Sequence, residues 1–208
     1  MCNWYEYDLA EWEVRELVEQ YTLIGRNWRA PIEVFPNQHG EVVVHRGDEC
    51  TLEYMRWGFT PWIKGRWLTN FHDPDLEPWK PLIENKAQRC VVPATRFSLP
   101  CRNAMADGSR WFVRPNHKPF MFAGVWTKWY GERGTGEAPN VGEHCLYSIM
   151  TTEANALVQP IGKAMPVILT TAAEVEQWLT GSMDEALAVQ EPAADDVLKL
   201  LPEELKAA

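Results

Sequence analysis

The sequence predicts one α+β domain, and three observations lead there. Short apolar runs of strand length, bounded by Gly, Pro and Asn, recur between residues 33 and 169, while two stretches space their apolar residues as helices do. At 208 residues and 46% hydrophobic content, the chain can enclose one substantial core. No internal repeat and no clear linker divides it.

Leu9, Trp12, Val14, Leu17 and Val18 lie near helical spacing among carboxylates, which predicts an amphipathic surface helix over residues 9–20. Glu33 to His45 sets Val34-Phe35 and Val42-Val43-Val44 on either side of a Pro-Asn-Gln-His-Gly turn, the pattern of a strand pair. Leu52 to Phe59 reads as another strand, followed by a loop holding Pro61, Trp62, Gly65 and Trp67. Asp73 to Pro81 is proline-rich and irregular. Arg89 to Pro93 reads as a buried strand. Trp111–Arg114, Phe120–Tyr130 and Cys145–Thr152 read as three more, with a mobile Gly/Glu-rich loop from Gly131 to Gly142 between the last two. Thr152 to Gln159 suits a short helix capped by Thr152, Val167 to Leu169 a short strand, and Ala172 to Leu179 a helix capped by Thr171. The acidic Ala/Leu-rich tail, 182–208, reads as helical and peripheral.

The net charge of −9 argues against indiscriminate binding of nucleic acid, because phosphate affinity depends on cationic surface. The charge is unevenly spread. Residues 46–133 hold 14 Lys/Arg against 9 Asp/Glu (+5), and the remainder holds 6 against 20 (−14). A basic centre between acidic ends can carry a localised anion site. The five cysteines (2, 50, 90, 101 and 145) form no Cys-x-x-Cys pair, and the five histidines show no ligand spacing, so neither a disulfide framework nor a metal site is expected. No cofactor is expected either. No run is apolar enough to span a membrane, and no secretory signal opens the chain, so a cytoplasmic protein without membrane partners is expected. Protein partners are not legible.

Cys2 is the residue whose chemistry stands out. Removal of Met1 would leave an α-amine beside a thiol. The amine, with a pKa near 7.7–8.0 against about 10.4 for lysine, is roughly one-tenth neutral at pH 7. An aldehyde condenses with such an amine to an imine, which the thiol closes to a five-membered thiazolidine at high effective molarity. An abasic deoxyribose presents that aldehyde when its ring opens.

Seven segments together resemble the SRAP (SOS response-associated peptidase) family. They are Met1-Cys2-Asn3, Arg56 to Trp62, Thr69-Asn70, Arg89 to Ala94, Phe120 to Trp126, Thr151 to Asn155 and Ala164 to Leu169, in the family's order. The resemblance implies a curved, barrel-like, mainly antiparallel β core with peripheral helices and a cleft for single-stranded DNA. It implies an abasic-site sensor of the DNA damage (SOS) response, in which Cys2 captures the lesion as a DNA–protein cross-link. It also implies N-terminal self-processing peptidase activity and an intracellular bacterial or phage-type protein, nucleoid-associated when bound to DNA. Carried over by position, Asn70 stands beside the reactive cysteine, Trp62 stacks at the DNA junction, and His72 and Thr151 lie along the DNA backbone.

Two departures bear on activity. Leu99 stands where the family has a glutamate, and Gly162 where it has a histidine, so the groups that would move protons are replaced. Capture slower than in an intact member is expected, with weakened peptidase activity. Trp4 and His72 stand where many members carry Arg, for which Lys64, Arg66 or Lys80 would compensate, and Lys163 or His144 are candidates to replace the lost acid–base groups. The alternative is a catalytically impaired scaffold of the same fold that binds single-stranded DNA or protein. A Cys/His hydrolase built on Cys90, Cys101 or Cys145 is a weaker rival, because nothing around those thiols resembles an activated nucleophile.

Overall fold

The computed structural model describes residues 2–24, 32–60, 67–100, 108–134 and 138–202. In chain order the elements are β1 (Trp4–Tyr7), α1 (Glu11–Leu17), β2 (Thr22–Ile24), β3 (Ile32–Val34), β4 (His39–Arg46), β5 (Glu49–Trp57), β6 (Asn70–Phe71) and α2 (Trp79–Glu84). They continue with β7 (Arg89–Ala94), β8 (Arg96–Pro100), β9 (Ser109–Val113), β10 (Phe120–Glu132), β11 (Val141–Glu153), β12 (Ala164–Pro166), β13 (Ile168–Leu169), α3 (Ala172–Thr180), α4 (Met183–Leu187) and β14 (Lys199–Leu200).

Five strands close on one another in the order β11-β10-β7-β4-β5. The neighbours are antiparallel except at the seam, where β5 runs parallel to β11 through Arg56 opposite Leu146 and Trp57 opposite Tyr147. Closure removes the open edges that these apolar strands would otherwise present. A second sheet, in the order β14-β9-β8-β1-β3, packs through β1 and β8 against the barrel. Tyr5 of β1 meets Trp57 at 5.1 Å and Phe122 at 5.8 Å between ring centroids, and Phe97 of β8 meets Phe122 at 5.8 Å. Each fully buried ring is worth roughly 1.5–3 kcal/mol, so this aromatic seam holds the two sheets together. Gly40 of β4 is there for want of space: a Cβ would collide with the hydroxyls of Tyr5 and Tyr147.

The mainly β architecture with flanking helices agrees with expectation, and four local expectations need correction. The segment after Thr152 is no helix. Thr152 and Glu153 end β11, the Thr152 hydroxyl donates to Gln190 O, and Asn155 instead caps a turn by accepting from Val158 N. The loop expected over 131–142 is shorter at both ends, because Gly131, Glu132, Val141 and Gly142 extend the β10–β11 hairpin, with Glu132 opposite Val141. Periodicity looked weak there because one face of the arm is solvated. The described part of the tail forms α4, passes through turns, and pairs as β14 with β9. It buries Ala186 and Leu198, so it is neither wholly helical nor merely peripheral. Within the irregular stretch 73–81, α2 begins at Trp79.

The predicted helix near residue 172 extends to Thr180, with Thr171 and Glu174 bonded in a reciprocal capping box. Its seat is unusual: buried Arg89 donates from Nε to Ile83 O (2.6 Å) and from Nη1 to Trp178 O (3.1 Å) and Gly181 O (2.7 Å). All three bonds go to carbonyls, and they tie α3 to the barrel. Among the described residues, no helix is long and apolar enough to cross a membrane.

Candidate functional site

Cys2 and Asn70, 68 positions apart, meet where the two sheets join. Cys2 precedes β1 and is 1% exposed, with its thiol donating to Trp4 O at 3.5 Å. Burial pushes the thiol pKa up to about 12, because a thiolate would lose its hydration, so Cys2 is a neutral thiol at physiological pH. Asn70 reaches it from β6, which lies parallel beside β11 with Asn70 opposite Ile149. The Asn70 amide nitrogen donates to Cys2 O at 2.7 Å and to Thr69 Oγ1 at 2.8 Å. Its own carbonyl oxygen is buried without a partner, as are the hydroxyls of Ser98 on β8 and Ser148 on β11. Ser98 pairs with Trp4 across β1 and β8, and Ser148 precedes the partner of Asn70. The strands framing Cys2 thus hold unused hydrogen-bonding capacity, which buried polar groups seldom keep without a role.

The segment leading to Asn70 is fixed at several points. Gly58 adopts φ +108°, a region open to glycine, and its N–H donates to Tyr147 O at 2.8 Å. The carbonyl of Thr69 accepts from Trp57 Nε1 at 2.9 Å and from Ile149 N at 3.0 Å. Below β6, Phe71 stacks on Trp79 at 4.6 Å, and Trp79 also meets Phe59 at 5.1 Å.

Thr151 and His72 also come together. Thr151 Oγ1 donates to Phe71 O at 2.8 Å and lies 3.3 Å from His72 Nδ1, while His72 Nε2 is 3.4 Å from Glu153. Gln190 donates to both His72 O (2.6 Å) and Thr151 O (2.9 Å), so the C-terminal segment braces this corner. Trp62, Lys64, Arg66 and Cys101 lie outside the described residues. Lys80 is paired with Asp75 at 3.1 Å. His144 is buried, its Nε2 3.2 Å from both Gly131 O and Asn140 O.

Leu99 and Gly162 are neighbours in space. Leu99 is buried on β8, and a Cβ built on Gly162 would lie 3.8 Å from Leu99 Cδ1. A Cβ at 162 would therefore sit at ordinary contact distance, and the two positions form one corner. Sequence reading missed the Tyr5–Tyr147 hydroxyl pair, 2.5 Å apart in the core, where burial raises both pKa values well above the usual phenol range. The alternation of Tyr5 and Tyr7 was a signal for the first partner, but nothing local pointed to the second. Cys50 and Cys90 are buried, and burial also raises the Cys145 thiol, so none has the depressed pKa of an activated nucleophile. An open cleft of about 560 Å³ is lined by Glu6, Asp8, Ile32, Glu33, Thr95, Arg96 and His117, and includes none of the residues singled out for chemistry. Among the described residues no cluster of His, Cys, Asp and Glu is suited to hold a metal.

A family model described as SOS response associated peptidase (SRAP) matches residues 1–204. Abasic site processing protein YoqW of Bacillus subtilis (strain 168) is 28% identical over 192 residues, covering 80% of this chain and 76% of that protein. Abasic site processing protein YoaM of the same organism is 28% identical over 165 residues, covering 70% and 64%. Among solved structures, a Bordetella bronchiseptica protein superposes with TM-score 0.77 at 18% identity, covering 98% of this chain and all of that one. A Bacteroides thetaiotaomicron protein gives 0.73 at 18% identity, covering 96% and 90%. At those identities the structural likeness speaks for the fold.

Proposed function

The chain belongs to the SOS response associated peptidase family, and on that premise we propose that it processes abasic sites by capturing them covalently through Cys2. Two relatives named as abasic site processing proteins support the reading. The observation that carries it is the 2.7 Å hydrogen bond from the Asn70 amide to Cys2 O, which sets the first residues of the chain against the segment leading from Gly58.

The chemistry requires Met1 to be removed. The freed amine of Cys2 adds to the aldehyde of a ring-opened abasic sugar, and loss of one water leaves an imine. The thiol then adds across the C=N bond: sulfur bonds to the former aldehyde carbon, and its proton ends on nitrogen. The product is a thiazolidine, with one water released in all and no oxidant or reductant consumed. Because burial keeps the thiol protonated, it acts second, after the amine has made the electrophile beside it. Asn70 holds the Cys2 carbonyl, and its unpartnered oxygen is available to a sugar hydroxyl. We assign single-stranded DNA as the substrate, with Thr151 and His72 along its backbone and Trp62 as the stacking residue. With Leu99 and Gly162 in place of proton-moving groups, capture lacks the ~10²–10⁴-fold that general acid–base help supplies, and N-terminal self-processing is weakened likewise.

The test uses protein whose intact mass confirms loss of Met1, incubated with an abasic single-stranded oligonucleotide and run on a denaturing gel. A shifted band is expected for the wild type and none for Cys2→Ala. No band for the wild type, or an equal band for the variant, would defeat the proposal. The apolar Leu99–Gly162 corner favours one second reading, a non-covalent DNA-binding scaffold. Equal binding of single-stranded DNA by both proteins, without covalent product, would favour it.

A further inference from the structure

Two guanidiniums and an imidazole gather on one face of the barrel near Gly58, a face that also carries the buried Glu41 two positions along β4 from His39. His39 and Arg56 are direct partners across β4 and β5, so their side chains share a face. His39 also stacks on Tyr54, with ring centroids 5.0 Å apart. Arg133, just past β10, is 1% exposed and folds back toward Gly58. Its Nη2 donates to Gly58 O at 2.7 Å, its Nη1 to Thr60 Oγ1 at 3.2 Å, and its guanidinium lies 4.0 Å from the Trp67 ring centroid. Arg56 donates through Nη1 to Asn37 O at 2.5 Å. The Nε of each arginine is buried with no partner. Among the described residues neither guanidinium is ion-paired.

Guanidiniums with buried Nε atoms are costly to place, because each loses hydration that carbonyl partners return only in part. The mutual influence is visible on His39, whose pKa is lowered to about 4 by burial first and then by Arg56, His144 and Arg133. Arg133 is lowered to about 10 by burial and by Arg56, and so remains charged at neutral pH. Unused N–H donors, fixed positive charge and flanking aromatic faces suit an oxyanion with planar groups on either side.

We propose that Arg56, Arg133 and His39 form a seat for a phosphodiester group of single-stranded nucleic acid, at the opposite end of the 58–70 segment from Asn70. The inference rests on the DNA reading above, and it adds a phosphate contact beyond the positions the family resemblance assigns. Arg133 comes from the hairpin arm, outside every segment that carried the resemblance.

The experiment measures binding of undamaged single-stranded DNA to the Cys2→Ala protein, which removes capture, as a function of salt. Arg133→Gln in that background is expected to shrink the slope of log K against log[salt] by about 0.7, and Arg133→Lys to retain it. In parallel, the His39 pKa is followed by NMR in the Cys2→Ala protein itself, so the result does not depend on a position 133 variant folding. Bound DNA is expected to raise it above about 4, since a nearby anion favours the imidazolium. An unchanged slope in a folded Arg133→Gln protein, or a His39 pKa indifferent to bound DNA, overturns the seat and leaves capture at Cys2 standing. A Cys2→Ala protein that does not bind single-stranded DNA at all overturns the seat together with the DNA reading.

Discussion

Within the candidate site, the Cys2–Asn70 corner and the Leu99–Gly162 corner treat polar groups in opposite ways. At the first, an amide is held by two hydrogen bonds, its oxygen is buried without a partner, and unpartnered hydroxyls stand on the framing strands. At the second, a buried aliphatic side chain faces a residue with no side chain. A corner that keeps an unsatisfied amide forgoes about 1–3 kcal/mol, a cost that selection would remove if the group served packing alone. If capture runs through Cys2 as proposed, the contrast separates bond formation from proton transfer: polar groups stand at the first corner and apolar ones at the second.

The largest effect should come from filling the second corner. Leu99→Glu with Gly162→His is expected to raise the single-turnover capture rate by roughly 10²–10⁴-fold, the usual range for general acid–base help. A Cβ at position 162 meets its nearest neighbours, Ala164 O and Leu99 Cδ1, at ordinary contact distance. Leu99→Glu alone should lower stability by about 1–3 kcal/mol in urea titration, because it buries a polar group without its partner. A double variant no faster than wild type would break the comparison.

At the first corner, Asn70→Ala removes the bond to Cys2 O, and a loss of about 1–3 kcal/mol corresponds to roughly 5–150-fold slower capture. Loss of rate without loss of melting temperature would assign Asn70 to the chemistry rather than to the fold.

How much of this was legible beforehand differs between the corners. The strand-rich core was readable, and the sequence singled out Cys2, Asn70, Leu99 and Gly162 as positions to inspect, because each lies in or beside a segment with its own pattern. That Leu99 and Gly162 touch was not, since they stand 63 positions apart and meet only through the packing of β8 against the turn before β12. The end of the hairpin arm was read as loop because its exposed face breaks the apolar run, and nothing in the sequence singles out Arg133. Turning it inward takes tertiary partners, Gly58 O and Trp67, that no local pattern announces. The short helix expected after Thr152 failed for a similar reason: pairing with β12 outweighs a propensity worth only tenths of a kcal/mol per residue.

A smaller, roughly 5–10-fold effect is expected from pH. Capture should rise between pH 7 and 9 as the amine, pKa near 7.7–8.0, loses its proton. It should then level off, because the Cys2 thiolate does not form until about pH 12. The sign follows from burial: a raised thiol pKa favours the folded state below the ordinary value of 9.0, and that advantage fades as pH climbs toward 12. A second rise in rate near pH 9 would mean that the thiol reacts from a solvated position. The least effect should come from His72→Arg, which adds a fixed cation near Thr151 and should steepen the salt slope of DNA binding by about 0.7.

The parallel seam between β5 and β11 has a consequence for how the molecule is made. Arg56 and Leu146 stand 90 positions apart, so the last stave leaves the ribosome several seconds after the first at ordinary synthesis rates. Until it docks, β6 has no neighbour to rest on, and Asn70 has no fixed place from which to hold Cys2. A nascent or truncated chain ending before residue 141 would leave the β11-facing edges of β5 and β10 unpaired, which makes it a candidate for aggregation.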